Sequence, residues 1–238
     1  MTPDPFLSET IGMPAFRVVE ATQLTESMFA GEMKSFAYAK VSTADVATVS
    51  SLERLGFGVV DAAVQLDCSA NELQAGVNVA GAYEVRLATA EDRQGVETVA
   101  EENFIYSRFH LDPDFPDTHA NEFKRRWAGN FFTGERGDAM VVASRGSEVT
   151  GFLQLLKDGE TLVIDLIAVA EPHQRKGLAA AMIGFAMQHF SQMEKLLVGT
   201  QVANVPSVRA YQKLGFRVCG SSYVLHYHGP IDTAVATP

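Results

Sequence analysis

Residues 162–169 are an apolar run, residues 180–193 are alanine-rich with helical spacing, and a short basic turn is nearly all that separates them. This succession restricts the fold more than any other stretch of the chain. A strand that empties directly into a helix must lay that helix back on its own sheet. The turn reads Gln174, Arg175, Lys176, Gly177, Leu178, Ala179. At a helix start the first N–H groups lack intrahelical partners, and the helix dipole adds positive potential. A phosphate or pyrophosphate suits such a start. Gly177 lets the main chain approach the anion, because no Cβ intervenes. The spacing Q-x-x-G-x-A is neither the Walker pattern GxxxxGK[ST] nor the dinucleotide fingerprint GxGxxG.

The rest of the chain alternates the same two element types. Residues 138–144 and 149–156 read as strands parted by a Gly146 turn, residues 196–201 as a strand, 204–214 as a helix, and 216–228 as the strand that closes the sheet. Upstream, residues 83–88 open a strand that enters an acidic helix start. Phe123, Trp127 and Phe131 recur every fourth residue in a further helix. Pro113 and Pro116 keep residues 107–120 from being one regular helix. The fold class is α/β with a mixed sheet. Small, weakly patterned residues at 70–82 mark a linker, giving units at 1–80 and 81–228 and a loose tail at 229–238. Residues 52–60, LERLGFGVV, echo residues 211–219, YQKLGFRVC. Each ends a helix on a glycine, then a phenylalanine, then a strand.

A chain of 238 residues with 47% hydrophobic content can build its core without metal or disulfides. Cys68 and Cys219 lack metal-ligand spacing and read as two buried thiols. No apolar run reaches the ~20 residues needed to span a bilayer. The start, Met-Thr-Pro-Asp-Pro, has no signal-peptide character, so a cytoplasmic location is expected, without a membrane partner. A net charge of −10 argues against nucleic acid but not against a small anion.

Downstream of the basic turn, Asn204, Ser207, Tyr211, Lys213, Gly215 and Phe216 spell N-x-x-S-x-x-x-Y-x-K-x-G-F. Asn204 is placed to cap a helix, with Ser207 and Tyr211 along one face. Together the two motifs resemble the GNAT acyltransferase superfamily over residues 83–228. The resemblance implies a GNAT fold preceded by a smaller N-terminal α/β unit, itself a partial GNAT copy without a phosphate loop. It implies acetyl-CoA as donor and no metal. Gln174, Arg175, Lys176, Gly177, Leu178 and Ala179 would hold the pyrophosphate, with Asn204 and Ser207 also on the donor side. Backbone N–H groups of Ile167, Ala168 and Val169 would polarise the thioester. Tyr211 would protonate the leaving thiolate, since a phenol near pKa 10 suits that task.

Ser107, Arg108 and Phe109, followed by Trp127 after a loop, resemble the acceptor region of the GNAT enzymes that N-acetylate dTDP-fucosamine, a dTDP-linked 4-amino-4,6-dideoxy sugar. That implies a nucleotide-linked aminosugar as the other small-molecule partner, and leaves room for a homodimer. The chain departs from them at residues 174–177, at Ala210, where they carry a basic residue, and in the 110–119 loop. Other amines (a protein N-terminus, a polyamine, an aminoglycoside) and a non-catalytic CoA sensor are the alternatives. For the general base, Asp165 is preferred over Glu101, Glu102 and His110, because a charge on an otherwise apolar strand needs a reason. His226 and His228 read as part of a fraying last strand.

Overall fold

A computed structural model describes residues 1–76 and 82–232. The first part runs β1 (Thr2–Pro3), α1 (Pro5–Ile11), β2 (Ala15–Arg17), β3 (Lys34–Ser42), α2 (Val46–Arg54) and β4 (Gly58–Ser69). After it come β5 (Glu84–Leu87), α3 (Arg93–Glu102), α4 (Asp117–Thr133), β6 (Ala139–Arg145), β7 (Glu148–Asp158) and β8 (Thr161–Val169). The chain finishes with α5 (Leu178–His189), β9 (Lys195–Gln201), α6 (Val205–Lys213) and β10 (Arg217–Pro230). The mixed α/β class is therefore observed.

The strands form one sheet in the order β1-β2-β3-β10-β4-β9-β8-β7-β6-β5. β10 does not close an edge. It lies between β3 and β4, and β4 in turn pairs with β9. The segments 1–80 and 81–228 thus exchange strands, which leaves neither β4 nor β9 as an open edge. Consequently His226 and His228 sit inside the sheet, opposite Tyr38 and Phe36, and not on a fraying end. The tail is also tied down further than its composition implies. Gly229 and Pro230 pair with Ser35 and Lys34, Ile231 is buried, and the Asp232 N–H donates to the Met28 carbonyl at 2.8 Å. The remaining tail residues, 233–238, and linker residues 77–81 lie outside the described residues.

Alternation along the strands sorts the core into two layers. On one face α5 and α6 cover Leu66, Leu153, Ile164, Leu196 and Val198, while α2 covers Ala37, Ala39 and Leu225. On the other, α3 and α4 cover Met140, Val142, Phe152 and Leu166, and α1 joins α4 over Phe36. Cys68 is buried as expected, but Cys219 is exposed.

The sequence echo has a common local cause. Gly56 and Gly215 adopt φ of 90° and 97°, the left-handed conformation that ends a helix without a Cβ penalty. The following N–H of Phe57 bonds to the Leu52 carbonyl and that of Phe216 to the Tyr211 carbonyl, each at 3.0 Å. Both phenylalanines are buried beneath their helices, which stabilises each arrangement by about 2 kcal/mol.

Candidate active site

β8 and β9 run parallel, but they pair only from Thr161 opposite Lys195 to Ile164 opposite Val198. Beyond that rung the strands part. The cause lies on the other edge of β8, where Gln154 faces Leu166 and Leu155 faces Ile164, so that Asp165 is an extra residue. Such a bulge bends its strand and sharpens the twist. The Ala170 N–H donates to the Thr150 carbonyl at 2.9 Å. By the two-residue period, Leu166 and Ala168 turn the same way, and Ile167 and Val169 turn their amides towards the opening. Of the three residues expected to polarise a carbonyl, Ala168 therefore faces the wrong strand edge.

The basic turn stands above this opening. Gln174 to Gly177 are exposed, and Gly177 takes φ of 83° at the start of α5. A Cβ there would meet nothing within 4 Å, so the space over the turn is free. The first intrahelical bond of α5 is Ala181 N–H to Gly177 carbonyl, and no side chain among the described residues caps the helix. The amides of Leu178, Ala179 and Ala180 are thus available to an anion. Arg175 holds φ of 61°, which costs a residue with a side chain about 1 kcal/mol or more. Two side chains of the turn also fasten it to the fold. Gln174 Nε2 donates to the Val169 carbonyl at 3.0 Å, and Lys176 Nζ donates to Tyr83 and to the Pro172 carbonyl.

Asn204 caps α6 by accepting the Ser207 N–H at 3.2 Å. That fixes Tyr211, one turn further on, in the apolar cluster containing Ile164 and Val198, the last paired rung. Its ring packs on Phe216 at 5.3 Å between centroids. Burial pushes the phenol well above its ordinary value, so the ordinary acidity expected of it is not retained.

Residues 102–216 match the profile of the acetyltransferase (GNAT) family. Those residues are a GNAT acetyltransferase domain. A relative from Bacillus subtilis, the spore coat polysaccharide biosynthesis protein SpsD, is 30% identical over 57% of this chain and 47% of its own. The chain therefore spans about half the length of that relative. A GCN5-related N-acetyltransferase structure from Sphaerobacter thermophilus superposes with a TM-score of 0.62 at 14% identity, covering 86% of this chain and 63% of that one. A tandem GNAT protein from the clavulanic acid biosynthesis pathway gives 0.57 at 12% identity, covering 84% and 65%. These two structures share the fold.

On the α3–α4 face of the GNAT domain the acceptor-side expectations need correcting. Asp165 is not poised as a base. Its carboxylate receives Arg136 through Nε and Nη2, Trp127 Nε1 at 2.9 Å and Gln154 Nε2 at 3.0 Å. With its lone pairs engaged by an ion pair and two further donors, it anchors α4 to the bulge. Trp127 is correspondingly spent on Asp165, with Arg136 and Lys124 over its ring. Phe109 is buried among Phe36, Phe115 and Phe123, as core. Ser107 bonds His110 Nδ1 at 2.6 Å, and His110 Nε2 meets Asn121 at 2.8 Å, so both residues hold the loop.

Arg108 remains, and Lys124 joins it. Arg108 lies over the Tyr38 ring at 3.8 Å, and Lys124 over Phe104 and Trp127. Among the described residues no carboxylate forms an ion pair with either. Burial, with Arg108 and Arg136 nearby, pushes Lys124 down to about 8. Three buried side-chain atoms on this face also lack a partner among the described residues: Asp61 Oδ2, Gln154 Oε1 and His226 Nε2. Asp112 Oδ2 meets His226 Nδ1 at 2.6 Å and His228 Nε2 at 2.7 Å. Those three donor atoms lie close enough to hold a cation. Metal on Nδ1 would put the His226 proton on Nε2, which has no acceptor, so a hydrogen-bonded clasp fits better. Periodicity could not have found Asp61, because its significance depends on β4 joining the other unit's sheet.

Proposed function

We propose that the chain is an acetyl-CoA-dependent N-acetyltransferase whose acceptor is an anionic aminosugar, a nucleotide-linked 4-amino-4,6-dideoxy sugar. The observation behind this reading is the parting of β8 from β9 beneath the free amides of α5. A pantetheine-like arm can add to the open edge of β8, presenting its thioester carbonyl to the Ile167 and Val169 amides. The pyrophosphate then falls to Leu178, Ala179 and the turn before them. Tyr211, at the root of the opening, protonates the departing thiolate. The burial that raises its phenol also raises a thiol held in the same cluster, so donor and acceptor stay matched.

The acceptor class follows from charge. Arg108 and Lys124 are half-buried cations with no carboxylate in ion-pair contact among the described residues, in a chain of net charge −10. Such sites favour a diphosphate or carboxylate and disfavour a polyamine. The relative named for spore coat polysaccharide biosynthesis supports a sugar acceptor. The test is thiol release from acetyl-CoA against dTDP- and UDP-linked 4-aminosugars, spermidine and a peptide. Turnover with the sugar nucleotides is expected; turnover only with spermidine or the peptide overturns the sugar assignment.

A further inference from the structure

We propose that Asp61, on a strand from the first third of the chain, receives the proton of the acceptor amine. This rests on the acetyl-transfer reading above. Strand β4 enters the sheet beside β9, with Ala63 opposite Gln201. Asp61 stands one pleat beyond Ala63, past the end of β9 and on the α3–α4 face. Ile167 on β8 is as far past the last rung, Ile164 with Val198, as Gln201 is on β9. Asp61 is thus across the opening from the amides that would hold the thioester carbonyl.

The other carboxylates near the face are occupied or remote. Asp165 receives Arg136, Trp127 and Gln154, Asp112 receives two histidines, and Glu97 and Glu122 pair with Arg125. Glu101 and Glu102 are exposed at the end of α3. Asp61 is 5% exposed, and its Oδ2 has no donor among the described residues. Leaving such an oxygen unsatisfied costs about 1–3 kcal/mol, more when charged, unless a ligand supplies the donor. Gln154 Oε1 and His226 Nε2 extend the same deficit along the face. An acceptor amine would supply the donor that Asp61 Oδ2 lacks. The charges facing Asp61 are Arg108, from the loop after α3, and Lys40, from β3, and the Gln201 side chain and the Ala62 N–H donate to its carboxylate. Burial nonetheless holds its carboxyl above the ordinary aspartate range.

In the step itself, the amine lone pair forms the C–N bond at the thioester carbon and the C–S bond breaks, leaving its electron pair on sulfur. The amine proton passes to Asp61 Oδ2, and sulfur takes the Tyr211 proton. Solvent exchange then returns both side chains to their starting states.

The experiment compares wild type with Asp61→Asn across pH, using whichever amine of the acceptor panel the wild type acetylates. We expect kcat to fall about 100-fold, within the range of a lost general base. The decline of rate on the acid side of the wild-type profile should disappear. The acetyl-CoA Kd should be unchanged, and Tm unchanged or higher, because burial already disfavours the charged form of Asp61. Formate added to Asp61→Ala should restore part of the rate. An Asp61→Asn enzyme with wild-type kcat and pH profile overturns the assignment of Asp61 and leaves the acetyl-transfer reading standing. No turnover of acetyl-CoA with any amine of the panel overturns both.

Discussion

The run β3–α2–β4 and the run β9–α6–β10 are built alike. Each is strand, helix, left-handed glycine, buried phenylalanine, strand, and in the sheet order β3-β10-β4-β9 the two runs interleave about a line between β10 and β4. Each also continues a short parallel pair, β2 with β3 and β8 with β9. They differ where chemistry is concerned. Between β8 and β9 stand the free turn and α5; between β2 and β3 there are only short turns at Ala21–Gln23 and Glu26–Phe29. Tyr211 occupies the place that Leu52 holds in the first run, and both side chains are buried. One scaffold therefore serves two ends. The first run closes a core with an apolar side chain, while the second accepts a buried hydroxyl at the base of an opening.

The largest effect that can break this comparison comes from exchanging its central pair. Tyr211→Phe should lower kcat by about 100-fold with little change in acetyl-CoA Kd, as expected for a lost general acid. Its Tm should hold, because the ring and its packing on Phe216 remain. Leu52→Ala should do the opposite. Its side chain is fully buried, so the loss should be about 2–5 kcal/mol of stability by chemical denaturation, with kcat of the folded fraction retained. Equal kcat in wild type and Tyr211→Phe would remove the chemical distinction between the two runs.

Much of this was legible in the sequence, and the reason is local physics. The period change around residues 162–193, the glycines at 56 and 215, and the cap at Asn204 all act within a few residues of themselves. Most of their strands and helices appear within a residue or two of where patterning puts them, although α5 ends at His189, well short of Met193. What escaped depends on long-range pairing. The place of β10 between β3 and β4 follows from strand competition across the whole sheet, and with it the interior position of His226. Asp165 reads as a base because a charge on an apolar strand needs a reason, and the reason in the structure is its anchoring at the bulge. Its four donors come from α4, the loop after α4 and β7, and no spacing rule could supply them. Arg108 was singled out by likeness, but its lack of a carboxylate partner is visible only once the elements around it are placed.

A smaller effect tests whether the two helix ends are equivalent. An alanine at either glycine must hold a left-handed φ, costing about 1 kcal/mol or somewhat more. At Gly56 the new Cβ would meet the Tyr227 ring edge at 3.3 Å, a contact that a slight ring shift relieves. At Gly215 it would fall 2.7 Å from the Glu72 carbonyl oxygen, which is backbone and cannot yield cheaply. Gly215→Ala should therefore destabilise by roughly 1–3 kcal/mol more than Gly56→Ala, the usual range for overpacking. Equal denaturation midpoints would mean that residues 70–74 move freely with α6.

The finest distinction concerns pH. In the aligned runs His226 of β10 corresponds to Asp67 of β4, a partly exposed residue paired with Lys195. His226 is buried with Asp112, His228 and Arg108 as its polar neighbours, and burial pushes it down to about 4 from an ordinary 6.5. Its partner Asp112 is also held low, because the two histidine hydrogen bonds outweigh its own burial. The folded protein thus binds fewer protons than the unfolded chain between these values. Stability should fall as pH drops from about 6.5 towards 4, at about 1.4 kcal/mol per pH unit for one such group. In His226→Gln that slope should flatten in urea titrations at pH 4.5, 5.5 and 7. Asp67→Asn should leave it as in wild type, since an exposed ion pair contributes little. If Asp67→Asn flattened the slope and His226→Gln did not, the acid-sensitive run would be the first and not the second.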